Sequence, residues 1–249
     1  LFRSYLVSEA RQKCANHIFK LGGNVYAFDS TTIDLCLSVF WWAKFRKKKG
    51  GIKVHTLYDV ETQIPAFFHI TEASVHDSKV MIEIPYEPSS YYIFDRGYNN
   101  FKILYKIHQI EAYFVVRAKK NLGYKSIQWK RRLPKNVLSD ASVFLTGFYP
   151  KQYYPEPLRL VKYWDEEQER EFTFITNAMH ISALQVAELY KNRWQVELFF
   201  KWLKQHLKIK RFWGTTENAV RIQIYAAICA YCLVAIIQHD MQLNRSKIG

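Results

Sequence analysis

Apolar positions along the chain change their spacing from block to block, and each spacing predicts an element. Residues 1–20, with "SEARQKCANHIFKL", carry apolar positions at helical intervals, and Gly22-Gly23 closes that helix. "NVYAFDSTTIDLCL" gathers Val25, Tyr26 and Phe28 into a buried strand expected to end near Asp29. "IKVHTLYDV" and "IPAFFHITEA" are two further strands, so that the three form an antiparallel meander. A basic aromatic loop, "FWWAKFRKKKGG", separates the first two. "HDSKVMIEI" is a short helix stopped by Pro85. "SYYIFDRGY" is a fourth strand, apolar until it releases Asp95. "NNFKILYKIHQI" is a helix with asparagine at its start, and "EAYFVVRAK" is a fifth strand.

The pattern then changes. Residues 119–180 hold clusters of Lys and Arg and the strand-like pieces "LRLVKYW" and "REFTFITN", joined by the turn-like "DEEQE". That is a β-rich insertion. Residues 182–208 and 217–240 return to helical spacing. The expected fold is α/β: a mixed sheet flanked by helices, with the insertion ahead of the last helices. Its segments are 1–118 (core, first part), 119–180 (insertion) and 181–249 (C-terminal helices).

Composition narrows the partners. A chain of 249 residues with 49% hydrophobic residues is globular. Its formal charge of +14 points to a polyanionic partner, nucleic acid foremost, although ribosomal, membrane-surface and heparin-binding proteins share that balance. Cys229-x-x-Cys232 has zinc spacing, but it lies in the apolar run "IYAAICAYCLVAII" with no second Cys/His pair, so all four cysteines read as reduced, intracellular core residues. That run, 224–237, falls short of the roughly 20 residues of a bilayer crossing, so a buried helix and no membrane contact are expected. The sequence opens at Leu1, and an upstream segment that recognises the partner is expected beyond it.

Three acids stand out within that frame. Asp29 and Asp95 each follow a strand. Were the first and fourth strands adjacent in an open sheet, the two would neighbour one another at the carboxyl edge, where ligands bind. In "YKNRWQVELFFKWLKQ", Arg193, Glu197 and Lys204 fall about 60°, 20° and 40° to one side of Tyr190 on a single helix, one polar stripe among apolar faces. A solvated stripe with an Arg193–Glu197 pair is the plain alternative. Three carboxylates without a Cys or His cluster suit Mg²⁺ or Mn²⁺ rather than zinc. Two such ions activate a water or a 3′-hydroxyl at a phosphodiester.

"FDSTTIDL", "FDRGY" and "YKNRWQVELFFKWLKQHLKI" resemble the three signature regions of insertion-sequence DDE transposases of the IS-four type, a likeness running from about Val25 to Ala235. The third region fits that family's Y-(2)-R-(3)-E-(6)-K motif at Tyr190, Arg193, Glu197 and Lys204. The resemblance implies a ribonuclease-H-like core with Asp29, Asp95 and Glu197 as catalytic, metal-binding carboxylates holding two Mg²⁺ or Mn²⁺ ions. It also implies contacts from Tyr190, Arg193 and Lys204 to DNA, which Lys201 joins from the same helix. The function implied is metal-dependent cleavage at transposon ends and 3′-OH transfer into target double-stranded DNA, by a homodimer in a prokaryotic cytoplasm, close to the nucleoid. A nuclease or resolvase that cuts without joining, or an inactive DNA-binding remnant, remain the alternatives.

Several lesser candidates complete the reading. Lys44, Arg46, Lys47 and Lys48, beside Trp41, Trp42 and Phe45, form either a DNA-backbone contact or a solvated hairpin with its Trp rings in the core. Lys125, Lys130, Arg131 and Arg132 are a second basic cluster, with Trp129 or Trp164 as an end-stacking ring or as packing. Lys53, His55 and His76-Asp77 read as structural groups, and Arg96 as a partner of acids or of phosphate.

Overall fold

The computed structural model describes residues 2–14, 19–46, 49–206 and 212–242, and the side chains of all of these except 2–3, 44–46 and 49. In chain order the elements are α1 (Phe2–Lys13), β1 (Val25–Leu35), β2 (Lys44–Arg46), β3 (Lys49–Asp59), β4 (Ile64–Glu72), a 3-10 turn (Asp77–Glu83) and β5 (Tyr91–Phe94). A second 3-10 turn (Arg96–Tyr98), α2 (Phe101–Gln109), β6 (Tyr113–Arg117), β7 (Tyr124–Trp129), β8 (Val137–Leu145) and α3 (Phe148–Tyr153) follow. The chain ends with β9 (Leu158–Asp165), β10 (Arg170–Thr176), α4 (Ala183–Lys191), α5 (Trp194–His206) and α6 (Glu217–Asp240).

The chain forms two compact units. The first comprises 1–21, 27–84 and 194–249, and the second 22–26 and 85–193. In the first unit the strand order is β2-β3-β1, and β4 also pairs with β3. β3 and β4 make a long antiparallel hairpin, Ile52 opposite Glu72 and Asp59 opposite Ile64. α5 is fixed by its aromatic face. Phe199 packs 5.5 Å from the Tyr58 ring of β3 and 5.0 Å from Tyr231 of α6, and Trp202 lies 4.8 Å from the same tyrosine. The Tyr58 and Tyr231 hydroxyls meet at 3.1 Å, so the polar ends of these buried rings are satisfied.

In the second unit the order is β5-β6-β10-β9-β8-β7. β5 and β6 are parallel, joined by α2, and the remaining pairs are antiparallel. The segment 119–180 carries β7 to β10 and the short α3, and its β10 pairs directly with β6. A buried pair locks the antiparallel half. Arg159 grips Asp140 with two bonds of 2.7 Å and donates to the Ala178 and Ile181 carbonyls. Gly23, in this unit, approaches Ser89 so closely that a Cβ there would stand 2.0 Å from the Ser89 carbonyl oxygen.

Four expectations change. β1 does not stop near Asp29 but runs on to Leu35, because Thr31, Ile33 and Leu35 continue the buried alternation on a β-branched stretch. The segment 182–208 is two helices. A capping box of Ser182 and Gln185 opens α4, and the Asn192 side-chain amide takes the Glu188 carbonyl at its end. The segment after His76 is 3-10 rather than α. α6 is not buried all round: Ile222, Leu233, Val234 and Ile237 are exposed, and by length and composition alone the helix would suffice to cross a bilayer.

Candidate active site

Asp95 follows the buried Phe94 at the end of β5 and sits at the N-cap position of the 3-10 turn without a side-chain capping bond, which leaves its carboxylate for side-chain partners. The Tyr190 hydroxyl, reaching in from α4, donates to Asp95 Oδ1 at 2.7 Å. Arg117, the last residue of β6, brings Nη1 to 3.9 Å from the same oxygen. Arg193, in the turn after α4, lays its guanidinium 5.7 Å from the Tyr190 ring centre. The Tyr190 ring is wedged against Phe174 at 4.7 Å and Phe172 at 5.7 Å, and Arg117 sits over Phe172 at 4.8 Å. Asn99 ties the turn to the strand by donating to the Arg96 and Arg117 carbonyls.

These contacts set the protonation states. Burial alone would raise the Asp95 pKa, but the Tyr190 hydroxyl, the Arg96 backbone amide and the charges of Arg193 and Arg117 outweigh it and hold it below the usual carboxylate range. Burial first, then the Asp95 charge and hydrogen bond, push Tyr190 up to about 12. At neutral pH the site therefore holds an ionised carboxylate, a protonated phenol donor and two guanidinium groups. One negative charge against two positive ones leaves a surplus suited to a phosphate, which planar guanidinium groups bind in bidentate fashion.

Asp29, Glu197, Lys201 and Lys204 belong to the first unit. Asp29 is half-buried within β1, and its Oδ1 accepts the Ser30 N–H at 2.8 Å. Glu197, Lys201 and Lys204 form an exposed face of α5, with Glu197 in the first turn, where the helix dipole favours an anion. The single helical stripe is thus corrected: the break at Asn192–Arg193 puts Tyr190 and Arg193 in the second unit and Glu197 onward in the first. Lys44 and Arg46 belong to β2, while Lys47 and Lys48 lie outside the described residues. Trp42 is a packing residue whose Nε1 donates to the Thr215 carbonyl, whereas Trp41 and Trp129 are exposed. Sequence reasoning missed Arg117; its signal was the only charge within the apolar run "YFVVR".

Carboxylate oxygens are the donors Mg²⁺ or Mn²⁺ requires. Among the described residues, however, no group of three or more His, Cys, Asp or Glu side chains stands together so as to hold a metal ion. Asp29 and Glu197 belong to the first unit and Asp95 to the second.

A mixed α/β architecture, with helices flanking the sheets and an acid released at a strand end, is that of a ribonuclease-H-like transposase fold. A family model described as the transposase DDE domain matches residues 20–233, and the chain belongs to that family. It is 39% identical over 224 residues to y4zB of Sinorhizobium fredii, a protein named as a transposase, over 87% of this chain and 61% of that one. It is 31% identical over 206 residues to a protein of Geobacillus stearothermophilus named for transposition of insertion sequence element IS5377, over 83% of this chain and 54% of the relative. A Synechocystis relative named for element IS4SA is 26% identical over 251 residues, covering 95% and 67%. The chain spans 61% of the first relative's length and 54% of the second's.

Proposed function

We propose that this chain is the catalytic part of a DNA transposase, which cuts a strand at the ends of its element and joins the freed 3′-OH to target DNA. The constellation at Asp95 carries the proposal: the Tyr190 phenol donates to the carboxylate at 2.7 Å, the Arg117 guanidinium stands 3.9 Å from the same oxygen, and the Arg193 guanidinium lies 5.7 Å from the Tyr190 ring centre. In this reading Asp95, Asp29 and Glu197 are the reaction's carboxylates, and they would hold Mg²⁺ or Mn²⁺. Such ions polarise the phosphoryl oxygens and lower the pKa of an attacking water. Tyr190 keeps Asp95 charged and oriented, while Arg193 and Arg117 receive a backbone phosphate. Lys201 and Lys204 add phosphate contacts from α5, and Lys44, Arg46, Lys47 and Lys48 are further DNA-binding residues. Residues 119–180 act as an insertion within the catalytic core, and a pair of chains would process the two element ends.

The test is a nicking and joining assay on DNA carrying the element's own ends, with Mg²⁺ or Mn²⁺ supplied. Asp95→Asn should abolish both steps and leave DNA binding in place. Undiminished nicking by Asp95→Asn would refute the assignment, and nicking without joining would point to a nuclease. DNA affinity should also fall with salt, each neutralised phosphate adding about 0.9 to the log–log slope.

A further inference from the structure

Asp29 and Ser30 are neighbours on β1, so their side chains leave opposite faces of the strand. Asp29 nevertheless depends on its neighbour, because its Oδ1 accepts the Ser30 N–H at 2.8 Å. On the Ser30 side a polar network closes. The Ser30 hydroxyl donates to Asp77 Oδ1 at 2.8 Å, and Lys53 Nζ stands 3.1 Å from the same oxygen while donating to the Val75 carbonyl at 2.8 Å. Two residues along β3, the fully buried His55 points Nδ1 at Asp77 from 3.8 Å, bonds Thr71 Oγ1 through Nε2 at 2.9 Å, and stacks on Phe28.

A lysine only 14% exposed loses most of its hydration, and an apolar side chain at that position would pack at no such cost. What the Lys53–Asp77 pair adds is direction. It pins β3 and the start of the 3-10 turn to Ser30, whose amide donates to Asp29. We infer that Lys53 and Asp77 are positioning residues for Asp29, acting through Ser30. The inference rests on the reading of Asp29 as a reaction carboxylate and extends it to two residues that motif spacing does not single out.

The experiment uses the full protein and the variants Asp77→Ala, Lys53→Met, Lys53→Arg and Ser30→Ala. Three quantities are read: single-turnover nicking, DNA affinity, and hydrogen exchange at the Ser30 amide. Because misplacing a reacting group by an ångström costs orders of magnitude, Asp77→Ala and Lys53→Met should slow nicking at least about tenfold with DNA affinity held within about twofold. Ser30 exchange should quicken about tenfold as local opening becomes easier. Lys53→Arg, which keeps the charge, should recover most of both. Unchanged nicking and exchange in Asp77→Ala overturn the inference, as does a parallel loss of DNA affinity. If Asp77→Ala does not fold, Ser30→Ala carries the same expectations. If the wild-type chain nicks no DNA, the functional reading fails by itself; the exchange rate at Ser30 then decides the network, unchanged exchange refuting it.

Discussion

His55 is a built-in gauge of how dry the interior beside β1 is. Its side chain is fully buried on β3, and burial drives its pKa from 6.5 down to about 4, with Asp77 opposing the fall and Lys53 and His69 adding to it. In the unfolded chain the imidazole takes a proton near its ordinary value, whereas the folded protein resists until about 4. Above the ordinary value both states are neutral and the residue is silent. As the pH falls between the two values, the unfolded state binds the proton first and stability drains away. Integrating the linkage from about pH 7 to about pH 5 gives a loss of about 2 kcal/mol from this one side chain. His55→Gln retains an amide for Thr71 Oγ1 and cannot ionise in that range. Urea unfolding of both proteins at the two pH values, with equal slopes, isolates the residue because every other titrating group is shared. The wild type should lose about 2 kcal/mol more than the variant over that interval. Equal losses would mean that water reaches His55 and that the Lys53–Asp77 network is not held in a dry interior.

Tyr190→Phe keeps the ring between Phe172 and Phe174 but removes the donor to Asp95, so stability should fall about 1 kcal/mol after solvent screening. Since Asp95's lowered pKa contributes stability that is present at neutral pH and lost in acid, the gap between the two proteins should narrow on acidification, read by calorimetry. Arg159→Met leaves the buried Asp140 carboxylate with only the half-exposed Lys130, 3.0 Å away, among its charged partners and should cost about 3 kcal/mol in denaturant unfolding, most of it recovered in Arg159→Met/Asp140→Leu. Gly23→Ala drives a methyl group to 2.0 Å from the Ser89 carbonyl oxygen and should lower stability by about 3 kcal/mol, seen as a fall in Tm.

Much of the fold was legible because it rests on local signals. Runs such as "YYIF" and "YFVV" bury every residue they contain except the edge tyrosine of the second, and the asparagine before α2 caps it as its chemistry predicts. What was missed depends on partners far away in sequence. Arg117 matters through Asp95, and Asp77 through Ser30, forty-seven positions apart. His55 and Lys53 looked like ordinary alternating strand residues, and nothing in "IKVHTLYDV" announces that their common face meets a carboxylate from a later turn.

The motif running from Tyr190 to Lys204 shows where a phase argument ends. Helical spacing placed four polar residues on one stripe, and for Glu197, Lys201 and Lys204 that phase holds on the exposed face of α5. It fails between Arg193 and Trp194, because α4 has already closed at Asn192 and a new helix begins. Periodicity is a property of one continuous helix, so a two-residue turn resets it. The break also explains why Tyr190 is buried while Glu197 is exposed, a difference that a shared stripe cannot produce. Tyr190 and Arg193 answer to Asp95, whose charge they fix, and the residues after the turn answer to α5. Lengthening that turn should therefore leave the Asp95–Tyr190 bond and the lowered Asp95 pKa intact and, on the proposed function, stop strand nicking. An insertion of one glycine after Arg193, with the Asp95 carboxyl followed by NMR and strand nicking followed on DNA, separates the two. A rise of the Asp95 pKa on insertion would show that the motif acts as one rigid element after all.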